Sequence, residues 1–177
     1  RLSLPQGCVG QMTREDRPVT YLPDDVYALV EESVPFLCVD FVPVREAARG
    51  REVGLILRDS PFGAVWCHLG GRVLRGETLV NALRRHARDT LTVALDIDLN
   101  AQPGRVYEWF PADLAPEDGT EHGQDPRKHS VGLSYVVTLV GEPSPRNEAI
   151  AFDYFPVDDL PDPMWPGSAG LLQHLVS

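Results

Sequence analysis

The chain has 177 residues, 16 Lys+Arg against 26 Asp+Glu, a formal net charge of −10 and 43% hydrophobic residues. That length and composition fit one globular domain and exclude a disordered chain. The acidity argues against nucleic acid as a partner, because such binding needs a basic surface. No apolar run approaches the roughly 20 residues of a membrane helix, so no membrane partner is expected. No secretory apolar segment is visible, and Cys8, Cys38 and Cys67 show no C-x-x-C pairing. A cytoplasmic protein without a disulfide framework is the expectation.

Charge is unevenly placed along the chain. Fifteen of the 16 cations are Arg and only Lys128 is lysine, a bias that GC-rich codon usage also produces. Residues 49–88 hold eight Arg against Glu52, Asp59 and Glu77, a net of +5, which leaves −15 for the remainder. The guanidinium fork matches phosphate geometry, so this basic stretch is where an anionic ligand is expected.

In chain order, residues 1–20 are polar and read as an N-terminal extension ahead of a single domain over 21–177. Leu22 to Val34 opens with Pro23 and two Asp and spaces Val26, Leu29, Val30 and Val34 helically, which predicts a helix. Phe36–Val44 and Val53–Leu57 predict buried strands, the second after an Arg49-Gly50 turn, and Ala64–Leu69 predicts a third that ends at Gly70-Gly71. From Glu77 to about Val93, the apolar positions Val80, Leu83, Ala87 and Leu91 fall on one helical face. Val106–Phe110 is the next expected strand, and Pro111–Ser130 is a long turn-rich loop, either a lid or mobile. Val131–Val140 and Ala149–Val157 complete the strands, and a short helix is expected around Leu171–Val176. Strands on both sides of a central helix predict an α/β domain with a mixed sheet.

One stretch carries a motif. Gly71, five residues, Glu77, seven residues and Arg85 reproduce the first half of G-x5-E-x7-R-E-U-x-E-E-x-G-U, and the chain therefore resembles the Nudix hydrolase superfamily. Leu22-Pro23-Asp24-Asp25, Val39-Asp40, Trp66 ahead of Gly70-Gly71-Arg72-Val73, Tyr135-Val136-Val137 and Asp153-Tyr154-Phe155 are similar to the GDP-mannose mannosyl hydrolase branch. The resemblance implies the Nudix fold, a mixed β-sheet sandwiched between helices (α/β/α). It also implies a divalent cofactor, Mg²⁺ or Mn²⁺, a phosphate-containing small molecule as ligand, and a homodimer. Gly71, Glu77 and Arg85 take the structural role of bracing the loop–helix unit.

The second half of the motif is degenerate. Where the family has Arg-Glu-U-x-Glu-Glu, this chain has Arg85-His86-Ala87-Arg88-Asp89-Thr90. Magnesium prefers carboxylate oxygens, so Asp89, with Glu77, is left as the metal candidate and His86 as a catalytic one. His86, Asp89 and Thr90 lie within about 100° of one another on a helix and can converge on one point, or form an ordinary solvated flank. The branch's Gln-His metal and base pair falls near Ala149-Ile150, which leaves neighbouring Glu148 as the candidate base or ligand. Arg58 and Arg72 are the expected phosphate contacts, with Tyr135 also assigned to the substrate. His122 and His129 are candidates for a base carried on the loop, against a solvated acidic loop; His68 and His174 are taken as packing residues. Two functions follow: a Nudix-type hydrolase of a nucleoside-diphosphate sugar or other phosphate-linked molecule with a weakened metal site, or a non-catalytic module that binds a nucleotide-like ligand or protein partner.

Overall fold

The computed structural model describes residues 22–48 and 50–176. The expected extension over 1–20, Cys8 and Arg49 of the expected turn lie outside the described residues. The elements run α1 (Asp24–Ser33), β1 (Phe36–Ala47), β2 (Gly50–Ser60), β3 (Gly63–Cys67), β4 (Leu69–Arg72), α2 (Leu79–Leu91), β5 (Ala94–Asp96), β6 (Arg105–Phe110), β7 (Gly123–Gln124), β8 (Ser130–Val140), β9 (Ala151–Pro156) and α3 (Ser168–Val176).

The near-continuous apolar run of β1 has the composition of a strand covered on both faces, and β1 is the centre of the mixed sheet. Its first half pairs in parallel with β8, from Phe36↔Ser130 to Pro43↔Val137, and antiparallel with β4, from Cys38↔Arg72 to Phe41↔Leu69. Its far end turns to β2 through Val44↔Val53 to Ala47↔Gly50. β2 then continues to β3 on one side and β9 on the other. Because β1 changes partner midway, the sheet curls, and a recess opens beside β4.

Helix α2 covers one part of the core. Thr78 caps it by accepting a hydrogen bond from the Asn81 N–H at 3.2 Å, and Thr92 ends it in the left-handed region at φ 61°. Val80, Leu83, Ala87 and Leu91 are buried as their spacing requires, the last three in one cluster with Val39 and Phe41 of β1. Glu77 lies ahead of this helix rather than in it, because Thr78 is a better cap than Glu77 is a first turn. Helix α3 packs through Leu171 into the same cluster and through Leu172 and Val176 against Val42, Val53 and Leu55. Helix α1 forms where its pattern predicts it but buries no residue; its ring contact is Tyr27 stacked on Phe36 at 5.6 Å between centroids.

The 111–130 segment is partly built into the sheet. β7 extends β6 in parallel, Asp125 is buried, and the Trp165 indole donates to the Gln124 carbonyl at 2.6 Å. β4, β5 and β7, of four, three and two residues, are shorter than any run that hydropathy alternation can mark.

Candidate functional site

The recess beside β4 is a cavity of about 280 Å³. Strand alternation builds its floor: along β1, Val39 and Phe41 enter the core cluster while Cys38 and Asp40 face the cavity. His68, between β3 and β4, stands beside Asp40 with Nε2 3.7 Å from Oδ1 and its ring stacked on Trp109. Four cations line the cavity, Arg58, Arg72, Arg127 and Lys128, against the three carboxyl residues Asp40, Asp125 and Glu148.

Two expected site residues meet directly. Arg58 Nη1 lies 2.7 Å from Glu148 Oε2, which joins the end of β2 to the turn before β9. The Arg58 Nε–H is buried and has no hydrogen-bond partner among the described residues, a donor left over for a ligand. Arg127 is held by Asp125, with Nε and Nη2 each 2.8 Å from the two carboxylate oxygens. Both guanidinium groups flank Trp165, at 5.7 Å for Arg58 and 5.2 Å for Arg127 from the ring centroid. Arg72 follows the glycines, its guanidinium 4.8 Å from the Tyr27 ring centroid. Carboxylates and aromatic faces thus orient these cations without neutralising the set.

The bracing half of the motif is in place. Glu77 folds back from the loop onto Arg85, with Nε–Oε1 at 2.8 Å and Nη2–Oε2 at 2.9 Å, and also accepts from the Leu74 N–H at 3.1 Å. Arg85 Nη2 reaches the Arg72 carbonyl at 2.9 Å, so one guanidinium ties α2 to the end of β4. Burial opposes the Glu77 charge, but Arg85 and the Leu74 N–H outweigh it and hold the carboxyl below its usual range. His86 lies directly beneath Gly71, where a Cβ would come within 2.7 Å of its ring. Its Nε2 is 3.2 Å from the Arg72 carbonyl, and burial followed by Arg85 lowers its pKa, which leaves a neutral ring.

The metal half is not assembled. Asp89, expected as the ligand, has a side chain 45% exposed, pairs with its neighbour Arg88 at 3.2 Å and does not line the cavity. Thr90, expected on the same flank, is buried because it turns toward the core stripe. Glu77 is saturated by Arg85 and Leu74. Among the described residues no group of three or more His, Cys, Asp or Glu can hold a metal ion. Nudix hydrolases generally use divalent metals, yet two of the cavity's carboxylates are committed to arginine and four cations surround them. This donor set does not fit a divalent cation.

Further placements differ from the sequence expectation. Tyr135 is 2% exposed inside the core, its hydroxyl without a hydrogen-bond partner among the described residues, and is not brought to the cavity. His129 stacks on Phe110 at 4.3 Å and His122 meets the same ring edge-on, so neither loop histidine reaches the site. His68, expected as packing, is instead on the cavity floor. Arg127 and Lys128 were not expected, although adjacent cations in a chain with one lysine are a visible signal.

The comparisons with known proteins agree with this architecture. The family model described as a domain of unknown function, DUF4916, matches residues 17–166. A crystal structure of a possible asymmetric diadenosine tetraphosphate hydrolase from Jonesia denitrificans is 32% identical, with a TM-score of 0.67 over 80% of this chain and 92% of that one. A MutT Nudix hydrolase from Burkholderia pseudomallei superposes with a TM-score of 0.64 at 23% identity, over 82% of this chain and 100% of that one. The low-salt glycan biosynthesis protein Agl8 of Haloferax volcanii is 29% identical over 132 residues, 73% of this chain and 75% of that protein. This chain belongs to the DUF4916 family, and it carries that domain on a Nudix-like α/β fold.

Proposed function

We propose that this chain is a hydrolase of a nucleoside-diphosphate sugar or a similar phosphate-linked small molecule, bound in the cavity beside β4. The observation that carries the reading is the convergence of Arg58, Arg72, Arg127 and Lys128 on one recess of an otherwise acidic protein. A diphosphate brings at least two negative charges, and fork-shaped donors held in advance lose little freedom on meeting them. A relative described as a possible asymmetric diadenosine tetraphosphate hydrolase and another described as a glycan biosynthesis protein support a phosphate-linked, sugar-bearing class. Asp89 is not part of this chemistry, since it faces Arg88 and solvent.

A second reading is a module that binds the same ligand without turnover, and the dismantled metal half of the motif favours it. Isothermal calorimetry with UDP-glucose, GDP-mannose and pyrophosphate, beside phosphorus NMR of the same mixtures with Mg²⁺, Mn²⁺ or excess EDTA, separates the readings. Binding with product formation is the expected result, and binding without products supports the module. Arg72→Ala and Arg58→Ala are each expected to weaken pyrophosphate binding about tenfold or more, the loss of a charge-assisted contact. Pyrophosphate affinity unchanged in both variants overturns the cavity as the phosphate site.

A further inference from the structure

Asp40 differs from the other carboxyl groups of the cavity. Glu148 and Asp125 each face an arginine, whereas Asp40 has no hydrogen bond among the described residues, is 6% exposed and looks into the cavity. Space is cleared for it on both sides. A Cβ on Gly70 of β4 would lie 2.5 Å from Asp40 Oδ1, and one on Gly132 of β8 would strike Oδ2. His68 Nε2, at 3.7 Å, is its near polar neighbour, and Ser168 Oγ lies 3.5 Å from the other ring nitrogen. Ser168 itself is wholly buried and cannot meet a ligand.

We propose that Asp40 is the general base of hydrolysis in this cavity, a catalytic residue that acts on water without a metal, and that His68 is its positioning residue. This inference rests on the hydrolase reading above. The step balances. Water oxygen forms a bond to one phosphorus of the diphosphate, and the bridging P–O bond breaks with its electron pair on the departing phosphate. Arg58, Arg72 and Arg127 meet that charge, so the leaving group needs no proton. The water proton passes to an Asp40 oxygen and from there to solvent as products leave.

The surroundings suit a base that works near neutrality. Burial pushes Asp40 up to about 7, while burial and then the Arg58 charge push His68 down to about 4. A neutral imidazole therefore stands beside a carboxyl near half ionisation, where a base combines availability with proton affinity. The other charged groups around the cavity are the Arg58–Glu148 pair, the Arg127–Asp125 pair, Lys128 and Arg72, with neutral His86 on the wall. The Cys38 and Cys67 thiols, raised to about 12 chiefly by burial, stay uncharged throughout the working range.

The test follows hydrolysis of UDP-glucose and GDP-mannose by phosphorus NMR in excess EDTA, with pyrophosphate calorimetry on the same samples. Wild type is expected to turn over at least one of the two, with kcat rising through pH 7 as Asp40 ionises. Asp40→Asn is expected to lose about 100-fold or more in kcat while pyrophosphate affinity is kept. His68→Gln is expected to retain turnover at high pH but to displace the rising limb of the pH profile. A purely structural role for His68 lowers the rate equally at every pH, and that result removes it. Equal kcat for wild type and Asp40→Asn, or a wild type that binds pyrophosphate yet hydrolyses neither sugar nucleotide in EDTA, overturns the proposal. Should Asp40→Asn fail to fold, the His68→Gln profile decides. Absence of pyrophosphate binding in wild type marks failure of the underlying reading instead.

Discussion

The two halves of the segment from Gly71 to Thr90 have parted company. In the first half Glu77, Arg85 and the Arg72 carbonyl form a closed network of short charged hydrogen bonds, linking the glycine turn to α2. In the second half Asp89 and Arg88 pair with each other on an exposed flank. The first half thus shapes the cavity wall, whereas Asp89 of the second half lies outside the cavity. Bracing a loop and binding a metal are separable tasks, though the motif writes them in one line.

The largest effect expected from breaking that contrast is on stability. Arg85→Ala strands a mostly buried Glu77 carboxylate and frees the end of β4, at a cost of about 3 kcal/mol, read from urea midpoints. The same pair sets an acid limit. The Glu77 pKa is depressed in the folded state, so its contribution is complete above the unfolded value and fades as pH falls through the folded one. Wild type should therefore lose more stability than Arg85→Ala below about pH 4.5. Matching acid profiles for the two proteins would falsify the bracing role.

Gly71→Ala comes next. Its added methyl meets the His86 ring at 2.7 Å on a backbone at φ 157°, so about 1–3 kcal/mol of overpacking is expected. His86→Ala in the same background should recover part of the loss, which thermal unfolding of the double variant measures. The smallest effect belongs to Asp89→Ala, within about 0.5 kcal/mol of wild type and with unaltered pyrophosphate affinity. A marked loss of divalent-dependent turnover in this variant would restore Asp89 to the site and erase the contrast.

Much of the fold was legible in the sequence because hydropathy repeats mark long elements. The run from Phe36, the stripe Val80, Leu83, Ala87 and Leu91, and the segment Val131–Val140 each sit where the pattern put them. The α1 pattern was legible as a helix but misled on burial, since its apolar residues Val26 and Leu29 remain exposed. The site was less legible. Arg58, Arg72, Glu148 and His86 reach the cavity, whereas Tyr135 packs inward and Asp89 outward, because helical phase and strand alternation fix direction only once the partners are known. The missed signal was Asp40, an acid inside the apolar run FLCVDFVPV; a buried polar residue is the informative exception in a core strand.

The slot that Gly70 and Gly132 leave around Asp40 has a consequence for strand alignment. Asp40 is opposite Gly70 in the β1–β4 register and diagonal to Gly132 across β8, so three strands meet at one carboxyl. Moving β4 by one position in one direction would set Leu69 opposite Asp40, and moving β8 either way would replace Gly132 by Val131 or Leu133. A leucine or valine Cβ would then occupy the space of the carboxyl. The same three residues that open the cavity floor therefore reject these misaligned pairings of the central sheet, making this polar spot an alignment key for assembly of the fold.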